Sequence, residues 1–365
     1  MNMNEWLGSQ ARGFREQQNA AALRMMDCYL RAYEARESDP DLAFASYTEG
    51  KQIAQQLDDP WWVLFYETHR IEALLHFKRD YRNVLDMVVQ AVADLRKPTN
   101  ATYPGRLSIW DNLIAAYLGI DPIGYEDELR QAMDYLDREI PAEPESSRYL
   151  LLARKRIFEV ECDRPREAYE ACMRELDLCA SDKDQSQAIH FAVFTYCSLC
   201  AIAALAKDWD TLASWSSTAE ELARIKGHHC ELGEALAWQA VAAHQQGEKD
   251  KAHKVYLNAS MQMSRLKMPP KRGYYDALST YHLHRGDLAA ALAVRDSELK
   301  TVAGWGRRLY ETRTRIRRAW LLAAMGQLEE ADLATARDAA AQLRKPEKFL
   351  EEIGEIVKVA AGEGG

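Results

Sequence analysis

Residues 282–294 read HLHRGDLAAALAV. A helix-compatible run ends at Gly286, and a second helix opens on Asp287 with Ala291 four positions later. Glycine enters the left-handed conformation without strain, so Gly286 can end the first helix. Asp287 then sets a negative charge at the positive end of the next helix dipole. A small residue at Ala291 lets the two helices approach closely. The segment predicts a helical hairpin that cannot bury both its faces alone and must stack on a neighbour.

The same form recurs along the chain. It is seen in LLHFKRDYRNVLDMV (74–88), FEVECDRPREAYEAC (158–172), LAKDWDTLASW (205–215), HQQGEKDKAHKVY (244–256) and LAAMGQLEEADLA (322–334). Asp41 in SDPDLAFASY and Asp121 in GIDPIGYEDEL fit the same slot. The break residues are thus Asp41, Asp80, Asp121, Arg164, Asp208, Glu248, Asp287 and Gln327, spaced by 39, 41, 43, 44, 40, 39 and 40 positions. Eight breaks on a period of roughly 40 predict eight stacked helical hairpins. Ala, Leu, Glu, Arg and Gln dominate, and no run of alternating β-branched residues signals a sheet. The expected fold is an all-α, right-handed α-solenoid of about eight helix-turn-helix repeats.

These hairpins resemble tetratricopeptide repeats. Gly286-Asp287-Leu288 with Ala291, and Gly247-Glu248 with Ala252, match that family's core, and Tyr81 takes the aromatic slot after Asp80. The stretches IAQQLDDPWWVLFYETHRIEALLHFKRDYRNV (53–84) and ELARIKGHHCELGEALAWQAVAAHQQGEKDKA (221–252) are similar to the longer-period repeats of bacterial signal-transduction regulators. The resemblance spans about residues 20–345. It departs from the family in its longer period and in the missing glycine near 121 and 164. It implies a binding surface lined by the first helix of each hairpin. Carried over with the break glycine as register, the groove-facing residues are Glu234, Ala237, Val241 and His244; Asp276, Thr280 and Leu283; and Arg313, Ile316 and Trp320.

Residues 1–18 read as a lead-in or capping helix, 19–358 as one continuous solenoid domain, and 359–365 as a disordered tail. KPTNATYPG (97–105), EIPAEPESS (139–147) and KMPPKRG (267–273) are Pro-containing loops too short for flexible linkers. The first residues carry no apolar core of a signal peptide, and the seven cysteines form no recognisable disulfide framework, so a cytoplasmic protein is expected.

Composition is that of a globular chain, 47% hydrophobic and 28% charged. No phosphate loop, zinc-protease, nucleophile-elbow or dinucleotide motif is present, and nothing points to an enzyme or a cofactor. Cys197 and Cys200 share a helix face and could in principle hold a metal, but they sit in an apolar run, Ile189–Ala206, with no charged residue. That run is long enough to span a membrane, yet it lies in phase with the repeat and reads as a core helix. His228, His229 and Cys230 point in different directions at a helix start and suit a cap rather than a metal site.

Charge is uneven. From Arg265 to Arg318 there are 13 Lys or Arg and five acids, so this window is +8 within a chain of −9. Segment 121–145 is the converse, with nine acids and two bases. Arg308, Arg313, Arg315 and Arg317 are expected to bind an acidic peptide or an acidic partner surface, with Trp305 or Trp320 as apolar anchors. A head-to-tail homo-oligomer through 121–145 is one form of that contact. The acidic pI of 5.6 argues against nucleic acid. The leading reading is a non-enzymatic interaction scaffold. The alternative is a sensor or regulatory subunit that binds a peptide or small ligand and controls a separate effector chain.

Overall fold

The computed structural model describes residues 3–140, 145–266 and 269–361. The described residues form eighteen α-helices and no strand. Eight hairpins run in order: α2 (Ala20–Ala35) with α3 (Pro40–Gln56), α4 (Pro60–Glu72) with α5 (Tyr81–Leu95), α6 (Arg106–Ile120) with α7 (Glu126–Glu139), and α8 (Glu145–Glu161) with α9 (Pro165–Ser181). Then come α10 (Gln185–Leu205) with α11 (Trp209–Lys226), α12 (His229–Gln245) with α13 (Lys249–Ser264), α14 (Arg272–His284) with α15 (Leu288–Val302), and α16 (Arg308–Ala324) with α17 (Glu330–Ala340). Helices α1 (Met3–Glu16) and α18 (Glu347–Ala360) flank them. The fold is an all-α repeat solenoid of the kind the period implied.

The breaks use the expected chemistry with two variations. Gly247, Gly286 and Gly326 all take positive φ, between +66° and +85°. Where glycine is missing, Arg79, Asp163 and Lys207 occupy the same left-handed slot at φ +53° to +57°. Each costs about 1–2 kcal/mol of backbone strain, which the stacked hairpins on either side must outweigh. Asp208 and Asp287 cap α11 and α15 by accepting from the backbone N–H of Thr211 and Ala290. The cap of α3 is Asp39, and Asp41 lies in the first turn of the helix. Asp121 starts no helix. Its carboxylate accepts from the N–H of Gly124 and of Arg344, each at 2.9 Å.

The chain groups into two compact units. One holds α1–α7 with residues 304–307, and the other holds 121–124 and α8–α18. In the first unit the core is aromatic. The 1–18 segment expected as a lead-in contains α1, whose Trp6 is 2% exposed and packs on Trp62 at 4.7 Å. Trp62, Phe65 and Tyr66 continue this cluster, and the Tyr66 hydroxyl donates to the Met25 carbonyl. Gly50 is needed there, because a Cβ would fall 2.2 Å from the Tyr66 ring. Residues 304–307 lie on α5 in this unit: the Trp305 carbonyl accepts from Tyr81 N–H, and Arg79 covers the Trp305 ring at 4.7 Å.

The second unit is built on small residues. Ala235, Ala237, Ala240, Ala252, Ala259 and Ala277 are fully buried and let α13 and α14 each approach α12 closely. Helix α10 is the one described helix with the length and hydropathy of a membrane span. It packs against α8, α9, α11, α12 and α14, and no residue from Gln187 to Ala204 is exposed. Core position explains its composition, as the repeat phase implied. In the tail assigned as 359–365, α18 continues to Ala360, and 362–365 lie outside the described residues, as do 141–144 and 267–268 within the Pro-containing loops.

Candidate functional site on the first helices of the second unit

In the second unit the first helices of successive hairpins lie side by side, α8 beside α10, α10 beside α12, and α12 beside α14. Each carries polar residues at helical spacing, so they share one face of their helix: Glu231 and Glu234 on α12, Arg272 and Asp276 on α14, Arg313 and Arg317 on α16. Packing brings these faces together into a charged network.

Glu161 at the end of α8 accepts from Arg272 at 2.6 Å and from Arg313 at 3.2 Å. Arg313 also donates to Asp163 at 2.5 Å. Asp276 accepts from Arg272 at 3.3 Å, from Arg295 at 2.9 Å and from Arg317. Arg295 reaches on to Glu298 at 2.6 Å. On α8, Arg156 donates to the fully buried Glu175 at 2.7 Å and to the Ser198 hydroxyl at 2.6 Å. Pairs across 111 and 152 residues of sequence therefore tie hairpin α8–α9 to α14 and α16.

The electrostatics follow from this crowding. Burial works to raise the Asp276 pKa, yet Arg317, Arg295 and Arg272 overcome it and hold the carboxyl well below its usual range. Arg317 is the opposite case. Burial pulls its pKa down, and the like charges of Arg272 and Arg295 add to that against Asp276. It shares this single carboxylate with two other arginines and keeps 36% of its side-chain exposure. Protein surrounds it, yet water reaches it. Among the described residues Asp276 is the ion-pair partner of Arg317, whereas Arg272 and Arg295 also pair with Glu161 and Glu298.

A second feature lies beside it on α12. Glu234 is 6% exposed. Burial pushes its carboxyl up to about 7 against the pull of Lys271. Its oxygen rests against Gly273, where a Cβ would fall 2.0 Å away. Its neighbour Glu231 is held below the usual range, because Lys271 overcomes the effect of burial. The Lys271 ammonium also lies 4.3 Å from the centre of the Phe194 ring. His190 and His228 pair at 3.0 Å on the same side, both shifted down first of all by burial.

The structure corrects the expected basic face. Arg308 is exposed and donates to the Gln342 carbonyl at 3.3 Å. Arg313 is buried between Glu161 and Asp163, and Arg315 pairs with Glu311 on its own helix. Arg317 pairs with Asp276, and Arg318 with Asp296 and Asp332. Much of the basic window is answered in place, by Asp276, Asp296, Glu298 and Glu311 within it and by Glu161, Asp163, Glu231 and Asp332 from elsewhere in the sequence. Trp320 is half-buried against the core of α16–α18, and Trp305 belongs to the other unit. In the acidic 121–145 segment, Asp121 is buried, Glu126 pairs with Arg130 and Glu139 with Arg106.

Of the residues named by repeat register, Asp276 and Arg313 lie in the network, and Glu234 lies buried near Lys271 and Asp276. Thr280 is half-buried one turn past Asp276, and His244 donates to the His284 carbonyl at 3.3 Å. Ala237, Val241 and Ile316 are buried core instead, and Leu283 is exposed. Arg156 and Glu161 went unseen in the sequence, and Lys271, Arg272 and Arg295 were counted only as part of the basic window. The available signal was charge on otherwise apolar helices, such as Glu231 and Glu234 at the start of the alanine-rich α12. Cys197 and Cys200 are buried, and burial pushes both thiols well above their usual range. Among the described residues no group of three or more His, Cys, Asp or Glu is placed to hold a metal ion.

No family profile matches the chain, and no curated protein matches it by sequence. Among solved structures it is similar to a Rap protein crystallised in complex with competence and sporulation factor. The match has 15% identity and a TM-score of 0.51, and covers 94% of this chain and 99% of that one. The likeness is one of fold.

Proposed function

We propose that this chain is a non-catalytic binding module that takes a peptide on the first helices of its second unit, with a ligand carboxylate held by Arg317. The observation that carries this is the state of Arg317: water-accessible, surrounded by protein and sharing one carboxylate among three arginines. A further carboxylate would complete its guanidinium fork, and Arg–carboxylate pairing is strong where water is partly excluded. Support at the level of fold comes from the Rap protein complexed with competence and sporulation factor, whose whole length this chain matches. The acidic-partner reading thus narrows from a basic surface to one arginine. A cytoplasmic setting suits seven unpaired thiols.

The test uses the full chain and a pooled library of linear peptides, five to eight residues long, with free or amidated C-termini. Wild type should retain carboxylate-bearing peptides, and Arg317→Ala should weaken them by ten-fold or more while leaving the helical circular dichroism unchanged. Asp276 keeps Arg272 and Arg295 in that variant, so the network survives. Equal retention by both proteins would make the charged network purely structural.

A further inference from the structure

Helix α1 lies against the turn between α3 and α4. Trp6 and Gln10 stand four residues apart on one face of α1, and that face meets the turn at Asp58, Asp59 and Trp61. Together they line a cleft of about 420 Å³. Ligand pockets for small molecules fall at roughly 300–1,000 Å³.

The two consecutive tryptophans of α4 have different surroundings. Trp62 is fully buried and belongs to the core, whereas Trp61 is half-buried and lines the cleft. The Trp61 indole N–H donates to the Thr99 carbonyl at 3.0 Å, and Tyr103 meets the ring edge-on with centroids 6.1 Å apart. Trp6 stands beside it at 6.1 Å, the two rings inclined at 59°. Trp61 is thus fixed in place while part of it stays open to the cleft. An indole held in this way offers its π surface to a cation.

The turn supplies the matching charge. Asp59 caps α4: its Oδ1 accepts from the N–H of Trp61 at 3.0 Å and of Trp62 at 3.2 Å, so its charge answers the positive end of that helix. Asp58 has no such duty. It is exposed, it sits in the left-handed conformation at φ +52°, and it joins no ion pair among the described residues. Its carboxylate is left to meet a cation in the cleft.

We propose that this cleft binds a small alkylated ammonium ion, of the trimethylammonium class, against Trp61 with Asp58 as counter-charge. Alkyl groups weaken the hydration of the cation and cover the indole surface, whereas a bare ammonium is strongly hydrated and stays in water. Both aspartates disfavour an anion. The site lies within the first unit and does not depend on Arg317 or the peptide reading.

The test uses the full chain with two probes of one shape: choline, and 3,3-dimethylbutan-1-ol, in which carbon replaces the charged nitrogen. Ligand-observed NMR follows each titration at constant ionic strength, and circular dichroism checks the fold of each variant. Choline should bind saturably, and about 2- to 30-fold more tightly than the alcohol, the range of one cation–π contact from exposed to desolvated. Trp61→Leu keeps an apolar wall and should remove most of that preference. Asp58→Asn removes the charge with a residue that accepts left-handed backbone, and should weaken choline by about 2- to 5-fold while leaving the alcohol unchanged. Gln10→Lys sets an ammonium of the chain's own in the cleft from a half-buried position, and should abolish choline binding. No saturable choline binding to wild type, equal affinity for the alcohol, or unchanged choline binding to Gln10→Lys overturns the site. A full preference for choline in Trp61→Leu overturns the role of the indole, and unchanged choline affinity in Asp58→Asn overturns the counter-charge.

Discussion

The two units solve the same packing problem with different chemistry. In the first, aromatic side chains fill the space between hairpins: Trp6, Trp62, Phe65 and Tyr66 form one cluster with ring centroids 4.7–6.1 Å apart. In the second, alanines bring α13 and α14 each close to α12, and charged groups on α8, α14 and α16 face one another. Apolar cores tolerate any partner of the right volume. Ion-pair networks bind only in one arrangement, and they leave residual charge for a ligand to meet. The contrast teaches that one hairpin stack can close by aromatic packing in one unit and by small residues with buried ion pairs in the other.

Four expected outcomes test this contrast, from the largest effect to the smallest. Trp62→Ala removes the centre of the aromatic cluster and should destabilise the first unit by about 4 kcal/mol, through lost burial and the cavity left behind. Denaturant titration reads it, and a loss below about 1 kcal/mol would show that the core recloses. In the second unit, Arg156→Ala leaves Glu175 charged, buried and alone, which should cost about 3 kcal/mol. Replacing both partners, as Arg156→Met with Glu175→Leu, should recover most of that loss. The aromatic core offers no such rescue. If the double variant is as unstable as the single one, the network is not separable into pairs.

The third outcome is a pH dependence. The Glu234 carboxyl is raised to about 7, whereas in the unfolded chain it returns to its usual 4.5. Between these values the folded state binds more protons than the unfolded one, so stability falls as pH rises across that window. The loss is complete above about pH 8 and amounts to roughly 3 kcal/mol. Glu234→Gln should therefore match wild type near pH 4 and exceed it at pH 8. A difference that does not change with pH would mean the carboxyl titrates normally. The smallest effect concerns the breaks. Lys207 holds φ +57° without being glycine, and Lys207→Gly should stabilise by about 0.5–1 kcal/mol by removing that strain. Thermal unfolding reads this, and a destabilised variant would show that unfolded-chain entropy outweighs the strain.

Comparison of sequence and structure separates local from distant information. Gly247, Gly286 and Gly326 marked hairpins correctly, because a helix end is decided by a few consecutive residues. Without glycine the signal weakened, and Asp41 and Asp121 were assigned to helix starts that lie at Pro40 and Glu126. Of the residues that repeat register named, Asp276 and Arg313 lie among the ion pairs and Glu234 lies buried beside Lys271 and Gly273. Charge counting along the chain misled. Arg313 looked available because its partners Glu161 and Asp163 stand 152 and 150 residues away.

By itself the sequence determined the helical class, the eight hairpins on a period near 40, and the core position of α10, whose uncharged run stays in phase with the repeat. Each of these rests on spacing within one or two turns, which chain connectivity enforces. The tertiary structure alone decided which arginines are satisfied and that Glu234 lies buried beside Lys271 and Gly273. Those depend on how hairpins stack across more than a hundred residues. Coulomb interactions, burial and cavity volume are functions of distance in space, and separation along the chain does not encode them.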